Sequence, residues 1–307
     1  MENKTFDIII IGGGPAGLTA AIYAARSDLD FIVFEGSKPG GQITMAPKVE
    51  DFPGFPGGIS GAELMVKTKK QAEILGAKIV CEEAIKVDLS GRPFKVFTKE
   101  KEYKSKSLIV ATGSAANWLG LESEQRLIGQ GVSACSICDG PFFKGKKVAI
   151  VGGGDTATKE ATYLSKIASE VVLIHRGSGL DAFAQNQDRV FETKNIKVIF
   201  DSVVEEILGE SKVEGVKIRN LKSQKEEDLR IDGLFIAIGH NPATGFLKGQ
   251  VELDNKGFIV VRDQTKTSVP GVFAAGDAMD SRYQQAITAA AAGCKAALDA
   301  ESWLEEY

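Results

Sequence analysis

The chain has 307 residues, 43% of them hydrophobic and 25% charged, with a net charge of -4. That length exceeds what one hydrophobic core usually supports, so two domains are expected, and the mixed charge without long like-signed runs excludes a nucleic-acid or membrane-surface role. Four cysteines in so long a chain do not make a disulfide scaffold, and the apolar run 8–11 is too short for a membrane span and lacks signal-peptide flanks, so a reducing, cytoplasmic setting is expected.

Phe6-Asp7-Ile8-Ile9-Ile10-Ile11 predicts a strand, Gly12-Gly13-Gly14-Pro15-Ala16-Gly17 a turn, and the alanine-rich residues 18–26 a helix. In that unit Gly12 makes the tight turn, Gly14 lets the backbone approach a pyrophosphate, and Gly17 lets the helix lie close to the strand. Pro15 suits the first helical position, with Ala16 beside it, and the helix N-terminus favours phosphate charge. A second strand, Phe31–Phe34, ends at Glu35, 23 residues after Gly12, where a carboxylate can accept both ribose hydroxyls. Residues 38–61, rich in Gly and Pro and containing Gly40-Gly41-Gln42, predict a long ordered loop of the kind that carries function. A late apolar strand closes on Ala111-Thr112-Gly113.

Cys135-Ser136-Ile137-Cys138-Asp139-Gly140 follows. A C-x-x-C pair is a redox dithiol or half of a zinc site. Zinc fails on ligand number, because Cys81, Cys294, His175 and His240 are isolated, so no metal is expected. Cys81 and Cys294 lie in apolar or helical stretches and are expected to be small buried hydrophobes. That leaves the 135/138 pair as the chemical one.

The strand-turn-helix pattern then recurs. Lys147-Val148-Ala149-Ile150-Val151 leads into Gly152-Gly153-Gly154-Asp155-Thr156-Ala157, the G-x-G-x-x-A variant associated with nicotinamide nucleotides, with Gly152, Gly154 and Ala157 in its three positions. Its second strand ends at His175, again 23 residues after the first glycine, and Arg176 follows. A cation there suits a 2′-phosphate better than a bare ribose. A closing strand ends at Gly239, and a further one, Gly271-Val272-Phe273-Ala274-Ala275-Gly276-Asp277, precedes an alanine-rich helix starting at Gln285-Ala286. That is either another helix N-terminus for a cofactor or an ordinary closing strand-helix unit. Residues 114–120 and 240–249 carry the Asn, Pro and Gly of linkers. The predicted fold is α/β, with two Rossmann-like dinucleotide-binding domains, the second inserted in the first: residues 1–116 with 245–307, and 117–244.

With these motifs assembled, the chain resembles the low-molecular-weight thioredoxin reductases, a class of FAD-dependent pyridine nucleotide-disulfide oxidoreductases, over essentially its whole length. The match rests on Gly12 to Gly17, Gly40-Gly41-Gln42, Ala111-Thr112-Gly113, Gly131-Val132-Ser133-Ala134-Cys135 with Cys138-Asp139-Gly140, Gly152 to Ala157, and Val269-Pro270 leading into the strand that ends at Gly276-Asp277. The resemblance implies FAD on the domain made by the two chain ends, a pyridine nucleotide on the middle domain, thioredoxin as partner, and a homodimer. It implies that Cys138 lies against the flavin, Cys135 attacks the protein substrate, and Asp139 gives or takes the proton. Physical chemistry allows these roles, since a C-x-x-C thiol can titrate as low as roughly 3.5–7.5 and a carboxyl raised by burial can exchange protons with it. The alternative for Asp139 is a turn or cap carboxylate. A rotation of the middle domain about its linkers is expected, to present nucleotide and disulfide to the flavin in turn.

The chain departs from that family at the donor site. NADPH-dependent members carry His-Arg-Arg-x-x-x-Arg, whereas this sequence reads His175-Arg176-Gly177-Ser178-Gly179-Leu180-Asp181. Losing two charge-assisted bonds of roughly 1.5–3 kcal/mol each weakens NADPH by about two to four powers of ten. Gln284 stands where the family usually has arginine. The residues leave open NADPH, NADH, or a reduced carrier such as ferredoxin as the donor. Other activities also stay open: a flavin-dependent oxidase of small dithiols, or a nucleotide-binding sensor. The cysteine pair speaks against a ferredoxin–NADP reductase-like enzyme, which needs none.

Overall fold

The isoleucine run in β1 (Thr5–Ile11) is apolar throughout because both of its faces are covered. Ile8 and Ile10 belong to one buried cluster and Ile9 and Ile11 to another, the pattern of a strand inside a parallel sheet. The computed structural model describes residues 4–306. The chain continues through α1 (Pro15–Arg26), β2 (Phe31–Phe34), α2 (Gly61–Ile74) and β3 (Lys78–Val80), then β4 (Lys86–Asp88), β5 (Phe94–Phe97) and β6 (Glu102–Val110). Pro15 opens α1 as expected, and Ser60 caps α2 by accepting from the Glu63 amide at 3.1 Å. Between β2 and α2 the Gly/Pro-rich loop is ordered around its own small core of Val49, Ile59 and Leu64, with Phe52 and Phe55 packed against it.

Strand β7 (Ser114–Ala116) leads into α3 (Glu122–Leu127), β8 (Val132–Ser133), α4 (Ser136–Asp139), β9 (Lys147–Val151), α5 (Asp155–Leu164), β10 (Glu170–Ile174), α6 (Ala184–Glu192) and β11 (Ile196–Ile199). An antiparallel meander of β12 (Ser202–Leu208), β13 (Gly215–Asn220) and β14 (Glu226–Arg230) precedes β15 (Gly233–Ile236) and β16 (His240–Pro242). The chain ends with β17 (Val272–Ala274) and α7 (Ala286–Glu306).

Two compact units result: Met1–Ala115 with Asn241–Tyr307, and Ala116–His240. In the first, the sheet order is β3-β2-β1-β6-β5-β4, with β17 also on β6. The nine-residue β6 pairs antiparallel with β5 along its first half and parallel with β17 along its second. Helices α1 and α7 pack together through alanine faces, and a Cβ on Gly293 would overlap the Ala16 carbonyl, so the two backbones touch. In the second unit the order is β11-β10-β9-β15-β8, all parallel. Both units are doubly wound α/β folds of Rossmann type, with the second inserted in the first. The unit boundaries fall within the two predicted linkers, and there β7 and β16 pair as a two-stranded sheet. Two extended segments that run side by side satisfy each other's backbone groups, and composition does not report that partnership.

Candidate active site

In the first unit the expected residues converge on the N-terminus of α1. Gly12 has φ +127°, and a Cβ there would overlap the Ala111 carbonyl, so the turn passes directly against the end of β6. Gly17 approaches Gly12 equally closely, Gly276 lies against Ala16, and Gly41 faces Gly14. Around Gly14 the space is open: the sole heavy atom within 4 Å of an added Cβ is the Gly40 carbonyl, at 3.9 Å. No acid stands in the first turn of α1. Glu35 is buried at the end of β2, beside Gly13. Gln42 donates to the Ser114 carbonyl. Gly113 takes φ +72°, and Gln285 and Ala286 stand at the start of α7.

This arrangement fits FAD. The buried Thr112 Oγ1 and Asp277 Oδ1 have no hydrogen-bond partner among the described residues, and both border that open cradle in sequence and fold. Burial, helped by Asp280, pushes the Asp277 carboxyl up to about 7. Unpaired buried polar atoms are costly, and a polar ligand satisfies them. The sequence reading missed Lys69: from α2 its Nζ bonds both carboxylate oxygens of Glu35, at 2.9 and 2.7 Å. Nothing in the sequence around Lys69 marks it as the partner of Glu35, 34 residues earlier.

The second unit repeats the plan with different surroundings. A Cβ on Gly152 would clash with the Ala237 carbonyl, while around Gly154 nothing lies within 4 Å, leaving room at the start of α5. Asp155 opens that helix, but its Oδ1 accepts from the Phe183 amide at 2.9 Å and Asn186 Nδ2 at 2.6 Å, so its charge is engaged by the start of α6. Ala157 is buried, close to Gly152. His175 is buried with its ring against Gly153 and Gly177, and its Nε2 lies 3.7 Å from Asp181 Oδ2. Arg176 is exposed, and no hydrogen bond or ion pair engages it among the described residues.

Cys135 and Cys138 are joined in a disulfide, with Cα atoms 5.4 Å apart. Cys135 caps α4: its backbone carbonyl accepts from the Asp139 amide at 3.0 Å, its Sγ accepts from the Cys138 amide at 3.2 Å, and its own amide donates to Ser133 Oγ at 3.0 Å. Cys135, Cys138 and Asp139 are each half-buried. A disulfide between half-buried residues, with a backbone amide donating to one of its sulfurs, suits exchange with an outside thiolate. One further contact was not anticipated: the hydroxyl of buried Ser136, between the cysteines, donates to Glu160 Oε2 on α5 at 2.7 Å.

The expectation for the other cysteines needs correction. Cys81 is exposed and Cys294 only partly buried. Cys81 directly follows β3, the edge strand, where the chain leaves the sheet and cover from a second face is lost. Among the described residues no cluster of His, Cys, Asp or Glu could hold a metal, and no helix is long and apolar enough to cross a membrane.

A pyridine nucleotide-disulphide oxidoreductase model matches residues 6–293. A thioredoxin reductase from Rickettsia conorii is 48% identical over 98% of this chain and 99% of its own. One from Streptomyces coelicolor is also 48% identical, over 97% of this chain and 94% of its own. The structure of a thioredoxin reductase from Giardia duodenalis superposes with a TM-score of 0.95 at 44% identity, covering 99% of this chain and all of that one. The chain is an oxidoreductase that belongs to the pyridine nucleotide-disulphide oxidoreductase family, among the FAD-dependent thioredoxin reductases.

Proposed function

We propose that this enzyme reduces the disulfide of thioredoxin or a thioredoxin-like protein, passing electrons from a pyridine nucleotide through FAD to Cys135 and Cys138. The observation that carries this reading is the partly accessible Cys135–Cys138 disulfide, held at the start of α4 on a unit that also carries a G-x-G-x-x-A turn. Bound FAD supplies the two-electron relay between a hydride donor and a disulfide. Gly12, Gly14, Pro15, Ala16 and Gly17 receive its pyrophosphate, Glu35 its ribose, and Gly41, Gln42, Ala111, Thr112, Gly113, Gly276, Asp277, Gln285 and Ala286 line the rest. Once the pair is reduced, the Cys135 thiolate attacks one sulfur of the partner disulfide, forming a mixed disulfide and expelling the other partner sulfur as a thiolate. Cys138 then attacks Cys135, re-forming the internal disulfide and releasing the partner's second thiol. Asp139 hands a proton to the leaving sulfur. The middle unit turns about the β7 and β16 crossings during the cycle, and cross-linking the units should abolish turnover. The working form is a homodimer, which light scattering of the purified protein tests.

On the donor, the site favours NADH at least as much as NADPH. Gly152, Gly154 and Ala157 receive the nucleotide pyrophosphate, His175 and Arg176 face its adenosine end, and a single exposed arginine, with Asp181 beside His175, makes a weak 2′-phosphate site. Anaerobic titration with NADH and, separately, NADPH, following loss of oxidised flavin absorbance, tests this. Bleaching by NADH at concentrations no higher than NADPH is the expected result. Failure of both, with bleaching by reduced ferredoxin, would point to a reductase fed through its flavin directly. Oxygen consumption with a small dithiol and no turnover of thioredoxin would point to an oxidase.

A further inference from the structure

Ser136 begins α4 immediately after Cys135, and its buried hydroxyl donates to Glu160 Oε2 at 2.7 Å. A serine has one hydroxyl proton, and giving it to this carboxylate fixes the side chain of the residue that separates the two cysteines. Glu160 lies on α5, the helix that starts at the G-x-G-x-x-A turn, so its link to Ser136 joins the nucleotide helix to the redox turn. Among the described residues no second hydrogen bond and no ion pair reaches the Glu160 carboxyl. Burial raises its pKa to about 7, opposed only by the Ser136 hydroxyl.

The titratable and charged groups on the elements packed around α5 are few. Helix α4 brings Cys138 and Asp139, with Cys135 at its cap; α6 carries Asp188, Arg189 and Glu192; β9 and β10 bring Lys147 and Glu170, which pair with each other at 2.9 Å. On α5 itself stand Asp155, engaged by α6, and Lys159 and Tyr163. None of these charges contributes to the shift of Glu160. The group next to the cysteines is therefore an acid without a counter-ion.

We propose that Glu160 is a positioning residue of the redox pair: through Ser136 it holds the turn that carries Cys135 and Cys138, and it takes up a proton when the disulfide is reduced and returns it when the disulfide re-forms. This rests on the reading that Cys135 and Cys138 cycle. Reduction adds two electrons and breaks the S–S bond. Near neutrality one sulfur takes a proton and the other remains a thiolate. That new negative charge disfavours a second one on Glu160, so the carboxylate also binds a proton from solvent, giving two electrons and two protons in all. With Gln at 160 the same step takes two electrons and one proton.

The extra proton appears only above the pH at which Glu160 ionises in the oxidised enzyme, because below it the acid is neutral in both states. Across that window the equilibrium for reduction falls further with pH, by on the order of tenfold in total. The test equilibrates the holoenzyme anaerobically with mixtures of reduced and oxidised dithiothreitol from pH 6 to 9. The reduced fraction of Cys135/Cys138 is read by thiol alkylation and mass spectrometry. Because dithiothreitol gives up two protons with its two electrons, the equilibrium constant of Glu160→Gln should rise with pH while that of the wild type rises less, so that between pH 6.5 and 8.5 the ratio of wild type to variant falls about tenfold. Ser136→Ala keeps the acid but removes the hydroxyl that lowers its pKa, so the excess fall should move to higher pH.

Identical pH profiles for wild type and a folded Glu160→Gln overturn the inference. Should that variant not fold, a Ser136→Ala profile superimposable on wild type overturns it equally. A pair that dithiothreitol never reduces at any pH refutes instead the redox reading on which the inference stands, a result distinct from the other two.

Discussion

Asp277→Asn should stabilise the flavin-free protein at alkaline pH while weakening its hold on FAD. The Asp277 carboxyl, with Oδ1 unpaired, is raised by burial and by Asp280 from 3.8 to about 7. A carboxyl whose folded value lies above its unfolded value destabilises the folded state as pH rises: the penalty is absent below the unfolded value, grows between the two, and is complete above the folded one. With those two values the penalty is about 2 kcal/mol at pH 5 and about 4 kcal/mol at pH 8, at about 1.36 kcal/mol per unit. Asparagine does not titrate. Whatever its packing costs, the stability gap between Asp277→Asn and wild type should therefore grow by about 2–3 kcal/mol between pH 5 and pH 8. The chain has two tryptophans, Trp303 in the first unit and Trp118 in the second, so a Trp118→Phe background leaves Trp303 fluorescence as the reporter of urea unfolding in the unit that holds Asp277. A gap that stays the same at both pH values would refute the reasoning.

Lys69→Met leaves the buried Glu35 carboxylate without its cation and should cost about 1–3 kcal/mol of stability in the first unit, read from the same denaturation. A loss confined to FAD affinity would show that the pair serves the ligand alone. Gly153→Ala drives a methyl group into the His175 ring, so bleaching of the flavin by nucleotide should fall at least tenfold while dithionite still bleaches it fully. Unchanged bleaching would place the nucleotide elsewhere. Cys135→Ser should abolish turnover of thioredoxin without loss of bound flavin, and retained turnover would remove the pair from the reaction. Asp181→Arg exchanges an exposed acid near His175 for a cation and should shift selectivity towards NADPH by on the order of tenfold to a hundredfold in kcat/KM, with NADH little changed.

Both glycine turns were legible because they impose backbone requirements that few residues meet. Gly12 needs a positive φ and cannot carry a Cβ against Ala111, so its identity announces its neighbour across the fold. The apolar strands were legible for a similar reason, since β1, β9 and β15 are covered on both faces and read as unbroken hydrophobic runs. What stayed hidden are partnerships between polar residues far apart in sequence. Lys69 with Glu35, Asn186 with Asp155 and Ser136 with Glu160 each join side chains whose types are common on any solvated helix. Only the packing of a helix against the neighbouring element selects them. The pairing of β7 with β16 was hidden likewise, because each segment looks like a turn when read alone.

The two dinucleotide units share the strand-turn-helix plan and differ in electrostatics at the end of the second strand. After β2 a buried acid is neutralised by Lys69, which leaves a compact polar pair where an adenosine ribose is expected. After β10 the buried position is an imidazole wedged between Gly153 and Gly177, and the charges have moved outward: Arg176 is exposed and Asp181 almost wholly so. Exposed ion pairs contribute about 0–1 kcal/mol because water screens them, so the exposed Arg176 alone would offer an anion only weak attraction. On the proposed donor reading, a 2′-phosphate with about -1.5 to -2 charges is expected to gain little here over a plain hydroxyl. Gly177 adds a steric reason: with His175 Nε2 2.7 Å from an added Cβ, a second arginine cannot enter at 177 unless the imidazole moves. Asp181 differs: its backbone amide donates to the Gly153 carbonyl at 2.8 Å while its side chain lies mostly in solvent, so a side-chain exchange there keeps the bond to the glycine turn and is the change expected to alter donor choice.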